Sequence, residues 1–530
     1  MDVAKREQLR AAWRASGVYA DVTVAELLGR GAERHPDDTI VFATSDGAAD
    51  VATLSRLHDG ARRLAARLVA AGVGPGEVVV VQGPADRAGT ELVEALWLLG
   101  TVVMPVPTAF GPSELGHVIT ESGASTFVAP ADWRGVDLVG RVVEHAREWG
   151  LQRVLASGSD APPGARPLDS LPDDGLLPSA RPSPAEVCCI LYTSGSTAAP
   201  KGVQHSHETL LAGIAAVPVD AAMRTLAAFP AGHVASLLGL LRPLLVGGTT
   251  VVLDRWSAWA ATALVEEHRV TNSSGTPFFL STMLDEADRT GRDVSSLRLF
   301  LVGAATVPPA LVARAEARGI ISWRTYGSTE HPAITTGTPT DPPEKRRCTD
   351  GCPGAGNEVR LVDEHGNDVD PGAEGEIVAR GPKQFLGYRD ASLDGESFLG
   401  SWFRTGDLGR FDADGYLVVT DRIKDVIIRG GENISAREIE HALAGHPAVE
   451  EVAVCAGPDE LWGERVCAFV RAAPGTAPTR DELAAHLLAA GVAARKAPAE
   501  VTLVDDFPRT AAGKIKKGEL RRARVGAREA

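Results

Sequence analysis

Hydrophobic positions recur at intervals of three and four through Leu54, Leu57, Ala61, Leu64 and Leu68, the spacing that gives a helix one apolar face. The unbroken apolar run in "EVVVVQG" reads as a buried strand, "ELVEALWLLG" returns to helical spacing, and "TVVMPVP" is again a strand. The alternation continues through "STFVAPAD", "TVVLDRW" and "LRLFLVGAATVPPALVARAEARG", where a strand ends in a loop of small residues and Pro308 opens a helix. This predicts an α/β fold: a large N-terminal domain of stacked, mainly parallel sheets with helices. The stretch "ASGSDAPPGARPLDSLPDDGLLPSARPSPAE" has no periodicity and reads as a connector between two subdomains. After about Gly356 the texture changes. "EVRLVDEHGNDVDPGAEGEIVARG" predicts short strands joined by Gly, Asn and Asp turns, a small β-rich unit. From Glu438, a helix, two strands, a second helix ("RDELAAHLLAAG") and a strand ("AEVTLVDDF") predict a compact α+β domain. The boundary falls near Lys424, giving domains over 1–423 and 424–530, and no internal repeat is visible.

A chain of 530 residues exceeds what one hydrophobic core usually supports, in keeping with more than one domain. Its formal net charge of −15 argues against a nucleic-acid partner, because phosphate backbones select for basic faces. Any phosphate binding must therefore be local. The opening "MDVAKREQLRAAWR" has charges where a signal peptide carries an apolar stretch. The most apolar region, "ASLLGLLRPLLVGGTTVVL", is interrupted by Arg242, Pro243 and a glycine pair, and reads as a buried helix, a turn and a strand, not a membrane span. A cytoplasmic protein, monomeric or homodimeric, is expected. The six cysteines do not make a disulfide framework in so long a chain. Cys348 and Cys352 lie close together but lack a second pair at zinc spacing, and read as ordinary thiols.

Candidate chemistry sits in five stretches. "LYTSGSTAAPKGVQHSH", Leu191 to His207, leaves the buried strand "VCCILY" as a run of small residues and hydroxyls that ends in Lys201. Successive backbone N–H groups freed by glycine, with hydroxyls and a lysine beside them, suit a polyphosphate, and strand ends are where open α/β sheets bind ligands. It is not a Walker A loop, because Gly202 follows Lys201 where Ser or Thr would be needed. "RTYGSTEHP" carries Ser328, Thr329 and Glu330 after a turn glycine, and "FRTGDLGRF" sets Asp407 directly after another. "DRIKDVIIRGGENISAREIE" contains the Gly430-Gly431 turn, and "PRTAAGKIKKGELRR" places Lys514 after Gly513. Taken singly, each has an ordinary reading as a turn, a cap or a solvated charged face.

Together and in this order, "YTSGSTAAPKG", "YGSTE", "FRTGD", "DRIKDVIIRGGENISAREIE" and "PRTAAGKI" resemble the adenylate-forming superfamily of acyl-CoA synthetases, amino-acid adenylation domains and luciferases. The resemblance covers nearly the whole chain. It implies an acid–thiol ligase that uses ATP and Mg²⁺ to convert a carboxylic acid to an acyl-adenylate, then passes the acyl group to coenzyme A. It implies that Thr193, Ser194, Gly195, Ser196, Thr197 and Lys201 close over the β- and γ-phosphates, and that Gly303, Ala304 and Ala305 lie along adenine, with Tyr326 stacked on the base beside Gly327. Asp407 would accept the ribose hydroxyls with Arg422 beside it, Thr329 would reach the α-phosphate, and Glu330 would hold the metal. Lys514 would neutralise charge that builds up between the substrate carboxylate and the α-phosphate. A mobile C-terminal domain, hinged at Lys424, would then withdraw Lys514 and bring Gly430, Gly431 and Glu432 in to line a channel for the coenzyme A thiol.

Between Phe229 and Pro243, "FPAGHVASLLGLLRP" has no acidic residue, whereas amino-acid adenylation domains usually carry an aspartate there, so an amino-acid substrate is disfavoured. His233 matches the position that flanks the acyl carboxylate in acyl-CoA synthetases. "TNSSGTPFFL" and "HPAITT" add small, hydroxylated and apolar lining suited to a medium-chain, alicyclic or aryl acid, and the texture is most similar to medium-chain and cyclohexanecarboxylate-type CoA ligases. Two other readings stand beside the complete ligase: an enzyme of one half-reaction only, and a non-catalytic nucleotide- or acyl-binding protein. Lys514 and Glu330 favour adenylation and "RGGENIS" favours thioester formation, so the complete reaction ranks first. One departure is Ala198, where the family's phosphate loop usually has glycine. If that position needs a positive φ, its Cβ costs about 1 kcal/mol. Ala198→Gly is then expected to raise the single-turnover adenylation rate about fivefold; an unchanged or lower rate would show that the alanine carries no strain.

Overall fold

The computed structural model describes residues 1–175, 177, 181–193, 200–215 and 222–522. Two large sheets face each other across a layer of helices. In the nine-stranded sheet, Ile321–Tyr326, Leu299–Gly303, Asn272–Gly275, Arg224–Ala227, Thr249–Leu253 and Thr39–Ala43 run parallel in that order, with antiparallel strands at the edges. The eight-stranded sheet sets Val187–Thr193, Val102–Val106, Val78–Gln82, Thr126–Pro130 and Arg153–Ser157 parallel, and closes on one side with the antiparallel strands Lys201–Ser206 and Gly387–Tyr388. Strands covered on both faces explain the unbroken apolar runs "EVVVVQG" and "VCCILY".

The helices Leu54–Ala70 and Arg87–Leu98 fill the space between the sheets. Their Leu57, Ala61, Leu68, Leu92 and Leu96 share one buried cluster with Ile40 and Phe42 of the first sheet and Val79, Val81 and Leu191 of the second. Ala258–His268 and Pro277–Thr290 cover the outer face of the first sheet around Phe279 and Phe300, and Pro112–Ser122 covers the outer face of the second around Phe127. These three phenylalanines are fully buried, each worth about 2–3 kcal/mol of burial.

The expected β-rich unit is a five-stranded antiparallel sheet made of Glu358–Val362, Gly375–Arg380, Trp402–Phe411, Phe398–Leu399 and Leu417–Arg422. The expected α+β module follows it. There the long hairpin Val449–Asp459 and Gly463–Ala472 packs against the helices Ala436–Leu443 and Arg480–Ala489, the first capped by Ser435 and the second by a Thr479–Glu482 capping box. The segment expected to be a plain connector is partly docked: Arg166–Pro167 pairs parallel with the edge strand Arg153–Ser157, and Leu168 is fully buried beside it. Leu168, with Leu171 and Leu177 packed against the same cluster, supplies the anchor in a Pro- and Asp-rich stretch. Pro243 lies inside the helix Val234–Val246, which ends at Gly247 with φ +71 before the strand Thr249–Leu253. Among the described residues no helix is long and apolar enough to cross a membrane.

The β-rich unit is tied to the nine-stranded sheet through Gly351. The Leu417 N–H donates to the Gly351 carbonyl at 2.8 Å, and the Asp350 N–H to the Leu417 carbonyl at 2.7 Å. Gly351 has φ +85, and a Cβ there would lie 2.0 Å from the Thr336 carbonyl carbon. Gly351→Ala is expected to cost about 3 kcal/mol or more in thermal unfolding. Gly319→Ala, at φ +78 but with open space around its Cβ, is expected to cost about 1 kcal/mol.

Candidate active site

The ends of the parallel strands carry the sequence-predicted residues. Leu299–Gly303 runs into the Gly303–Ala305 loop, and Ile321–Tyr326 beside it runs into Gly327. Gly303 sits so close to its neighbour strand that a Cβ would lie 2.6 Å from the Thr325 carbonyl oxygen. Ala304 adopts φ +64, a left-handed conformation that costs an alanine about 1 kcal/mol and that is held at this strand end.

The loop from Gly327 to Ala333 carries Thr329 and Glu330, and it is held by its backbone. Gly327 approaches Ala333 so closely that a Cβ would lie 2.5 Å from the Ala333 nitrogen. The Thr329 carbonyl accepts from His205 Nε2 at 2.8 Å, and the Glu330 carbonyl from the Phe385 N–H at 2.8 Å. The Ala333 carbonyl accepts from Lys383 Nζ at 2.6 Å and Asn357 Nδ2 at 3.0 Å. His205 and Lys383 are almost wholly buried; burial lowers the His205 ring to about 4 and the Lys383 ammonium to about 8. The neutral His205 ring therefore carries its proton on Nε2. With the backbone pinned in this way, the Glu330 carboxylate accepts from the Tyr388 hydroxyl at 2.7 Å.

Asp407 lies opposite Arg422 on adjacent strands, with Arg422 Nε 3.4 Å from its carboxylate, and it accepts a hydrogen bond from the Tyr326 hydroxyl at 2.8 Å. Burial raises the Asp407 carboxyl, and Arg422 opposes that shift. Lys514 enters from the C-terminal module on a tight turn in which the Gly513 N–H donates to the Thr510 carbonyl at 2.8 Å. The turn is docked on the large domain: a Cβ on Gly513 would lie 2.5 Å from the Phe278 ring, and the Arg509 guanidinium stands 4.7 Å over the same ring. His233 caps the helix Val234–Val246, its Nδ1 accepting from the Ala235 N–H at 3.1 Å, and stacks on Phe229 at 4.8 Å. That bond leaves the proton on Nε2, and burial, with the Lys514 charge, lowers the ring to about 3.

The structure thus brings Glu330, Asp407, Arg422, His233 and Lys514 within electrostatic reach of one another. Thr193 closes its strand opposite Lys201, whose Nζ stands 5.0 Å over the Tyr388 ring. Ser194, Gly195, Ser196, Thr197 and Ala198 lie outside the described residues. Lys424 is exposed in a short 3-10 turn, Ile423–Asp425, beside the Asp425–Arg521 ion pair at 2.7 Å. Gly430, Gly431 and Glu432 are exposed, and their contacts are made within the C-terminal module: the Gly430 N–H donates to the Trp462 carbonyl at 2.8 Å, and Glu432 pairs with Arg495 at 2.5 Å. A cavity of about 40 Å³ between Arg224–Ala227 and Val234–Val246 is lined by Leu226, Val252 and Arg242 together with Phe229, Ser236 and Ser274, the last three and Arg242 coming from two of the stretches read as acyl lining. The third, "HPAITT", instead holds the Glu330 loop, with Ile334 fully buried and Thr335 Oγ1 donating to the Asp350 carbonyl at 2.7 Å. Tyr388, His205, Lys383 and Asn357 escape sequence reasoning, because no local pattern marks their contacts. Among the described residues no three or more His, Cys, Asp or Glu side chains gather to hold a metal. A lone carboxylate such as Glu330 beside a polyphosphate site fits magnesium, which keeps several waters and takes its other ligands from phosphate oxygens.

The chain matches the model of the AMP-binding enzyme over residues 28–389 and that of the AMP-binding enzyme C-terminal domain over 438–514. It belongs to this family, the adenylate-forming one that the motifs resemble. It is similar to the medium-chain fatty-acid–CoA ligase of Escherichia coli (strain K12), 34% identical over 534 residues that cover 97% of this chain and 93% of the relative. It is also similar to the feruloyl-CoA synthase of Amycolatopsis sp, 36% identical over 477 residues, covering 89% and 93%. The solved structure of o-succinylbenzoate coenzyme A synthetase from Bacillus subtilis in complex with ATP and magnesium ion superposes with a TM-score of 0.79 at 25% identity, over 93% of this chain and 98% of that one.

Burial, reinforced by the Arg422 charge, lowers the Lys514 ammonium, while Asp407 and Glu330 act to raise it. A lysine whose pKa is lowered loses its charge at a lower pH than a free one. A step that depends on the Lys514 charge is therefore expected to fall on the alkaline side, about tenfold per pH unit once above that pKa, beginning below the ordinary lysine value. A pH–rate profile checks this, with Lys514→Arg moving the limb upward. His233, neutral well below the range, is expected to add no limb between about pH 5 and 8.

Proposed function

We propose that the protein is an AMP-forming acid–thiol ligase, which activates a medium-chain, alicyclic or aryl carboxylic acid with ATP and transfers the acyl group to coenzyme A. The observation that carries this reading is the docking of the Lys514 turn on Phe278 of the large domain, where the charges of Asp407 and Glu330 act on the lysine, while the Gly430–Glu432 loop remains exposed. That arrangement suits the first half-reaction. A carboxylate oxygen of the acid attacks the α-phosphorus of ATP, the bond to the bridging oxygen breaks, and pyrophosphate leaves. In this reading Lys514 neutralises charge gathering on the carboxylate and α-phosphate, and the Thr329 hydroxyl reaches the same phosphate. Asp407 accepts the ribose hydroxyls beside Arg422, and the Gly303–Ala305 loop and Tyr326 border adenine. Residues 193–197 and Lys201 take the β- and γ-phosphates. Magnesium bound at Glu330 would offset the charge of the polyphosphate. The neutral His233, with its proton on Nε2, offers a donor to the acid's carboxylate.

For the second half-reaction the C-terminal module turns about Lys424, Lys514 withdraws, and Gly430, Gly431 and Glu432 line the approach of the thiol. The thiolate sulfur attacks the acyl carbonyl carbon, the acyl–phosphate bond breaks, and AMP leaves with both electrons of that bond. The absence of any acidic residue between Phe229 and Pro243 supports an uncharged acyl group over an amino acid. Mass spectrometry of the protein with ATP, Mg²⁺ and a panel of such acids is expected to yield acyl-AMP without coenzyme A and acyl-CoA with it. Lys514→Ala is expected to abolish acyl-AMP formation while leaving the conversion of supplied acyl-AMP to acyl-CoA largely intact. Acyl-AMP that persists with coenzyme A present would instead assign the protein to one half-reaction, and equal loss of both steps in Lys514→Ala would remove Lys514 from its role.

A further inference from the structure

Tyr388 lies in none of the five stretches that suggest chemistry, yet it touches two residues that do. It sits on Gly387–Tyr388, the edge strand that pairs antiparallel with Lys201–Ser206, and is 5% exposed. Its hydroxyl donates to Glu330 Oε1 at 2.7 Å, and its ring lies 5.0 Å beneath Lys201 Nζ. Among the described residues no ion pair joins Lys201 to Glu330, and the tyrosine touches both. The tyrosine is fixed on every side. Its N–H donates to Asp394 Oδ1 at 3.0 Å, its ring meets Phe385 edge-on at 5.0 Å, and the Phe385 N–H binds the Glu330 carbonyl. The N-terminal helix Val3–Ala15 pins the same strand: Arg6 donates to the carbonyls of Phe385 and Leu386, the latter at 2.9 Å.

We infer that Tyr388 is a positioning residue. Its ring holds Lys201 apart from Glu330, and its hydroxyl occupies Oε1 and orients the carboxylate, so that Oε2 is presented to a hard cation while the lysine stays available to phosphate. An unscreened pair would collapse into a salt bridge, and ATP and magnesium would each have to break it before binding. The inference rests on the ATP-dependent reading above, and it concerns how this chain keeps two opposite charges separate before substrate arrives.

The test is calorimetric titration of the full chain with ATP, with and without Mg²⁺, for the wild type, Tyr388→Phe and Tyr388→Leu. The wild type is expected to bind ATP more tightly with magnesium. Tyr388→Phe keeps the ring and loses the hydroxyl. Its affinity for ATP alone is expected to stay within about twofold, while the magnesium-dependent gain falls by about tenfold, the loss of a hydrogen bond to a charged group. Tyr388→Leu, which removes the ring as well, is expected to weaken ATP binding even without magnesium, and both variants are expected to convert supplied acyl-AMP to acyl-CoA at wild-type rates. Wild-type magnesium dependence in Tyr388→Phe overturns the inference. So does a loss of equal size with and without magnesium, or one shared by thioester formation, since either marks a purely structural tyrosine, and so does wild-type ATP binding that ignores magnesium. Magnesium-dependent ATP binding in a chain that forms no acyl-CoA from any acid would instead sink the ligase reading and leave Tyr388 to be judged by the titration alone.

Discussion

The site depends on holding the Gly327–Ala333 loop by its carbonyls. A surface turn whose backbone is left to water would let Thr329 and Glu330 wander. Here the Thr329, Glu330 and Ala333 carbonyls are each bound from beneath, by His205, by the Phe385 N–H, and by Lys383 with Asn357. Buried donors of this kind are costly to leave unmade, so the partners and the loop enforce one another. The result is a loop whose backbone has little freedom to move, which is the condition for electrostatic work without reorganisation. His205, Lys383 and Asn357 come from three separate segments, so the eight-stranded sheet and the segments around the β-rich unit jointly position a loop that belongs to the nine-stranded one.

Charge is arranged around that loop with unusual economy. Lys514 feels the charges of Asp407, Glu330 and Arg422 together, so the carboxylates hold its proton while burial and the arginine loosen it. Its turn is anchored by shape more than by charge, with Gly513 against the Phe278 ring and Arg509 stacked over the same ring. Arg509 is itself held by Glu451 of the long C-terminal hairpin. A contact built from one aromatic face and one glycine can be made and released without breaking an ion pair, which suits the movement proposed for the C-terminal module.

Much of the architecture was legible in the chain. The spacing of Leu54, Leu57, Ala61 and Leu68 produced a helix buried between the sheets, and "VCCILY" produced a strand covered on both faces, because periodicity reports which faces must leave water. The "YGSTE", "FRTGD" and "PRTAAGKI" stretches came together around Glu330, Asp407 and Lys514, since strand ends and tight turns need the small residues that make such motifs recognisable. The connector was misread in part: Leu168, Leu171 and Leu177 dock a segment whose composition argues for a free linker, and leucines at those irregular spacings leave no periodic trace. The same limit hid Tyr388, which is separated from Glu330 by 58 positions in the chain and meets it through one hydroxyl.

Sequence alone determined the class of fold and the family, because those follow from local periodicity and from short motifs whose chemistry is nearly self-contained. Only the tertiary structure decided that Tyr326 turns its hydroxyl to Asp407, that His233 carries its proton on Nε2, and that Lys514 rests inside the cleft while Gly430 and Gly431 stay outside. Each of these is a choice between geometries open to the same side chain. It is settled by partners tens or hundreds of residues away, through hydrogen bonds and charges that act over distances in space and not along the chain.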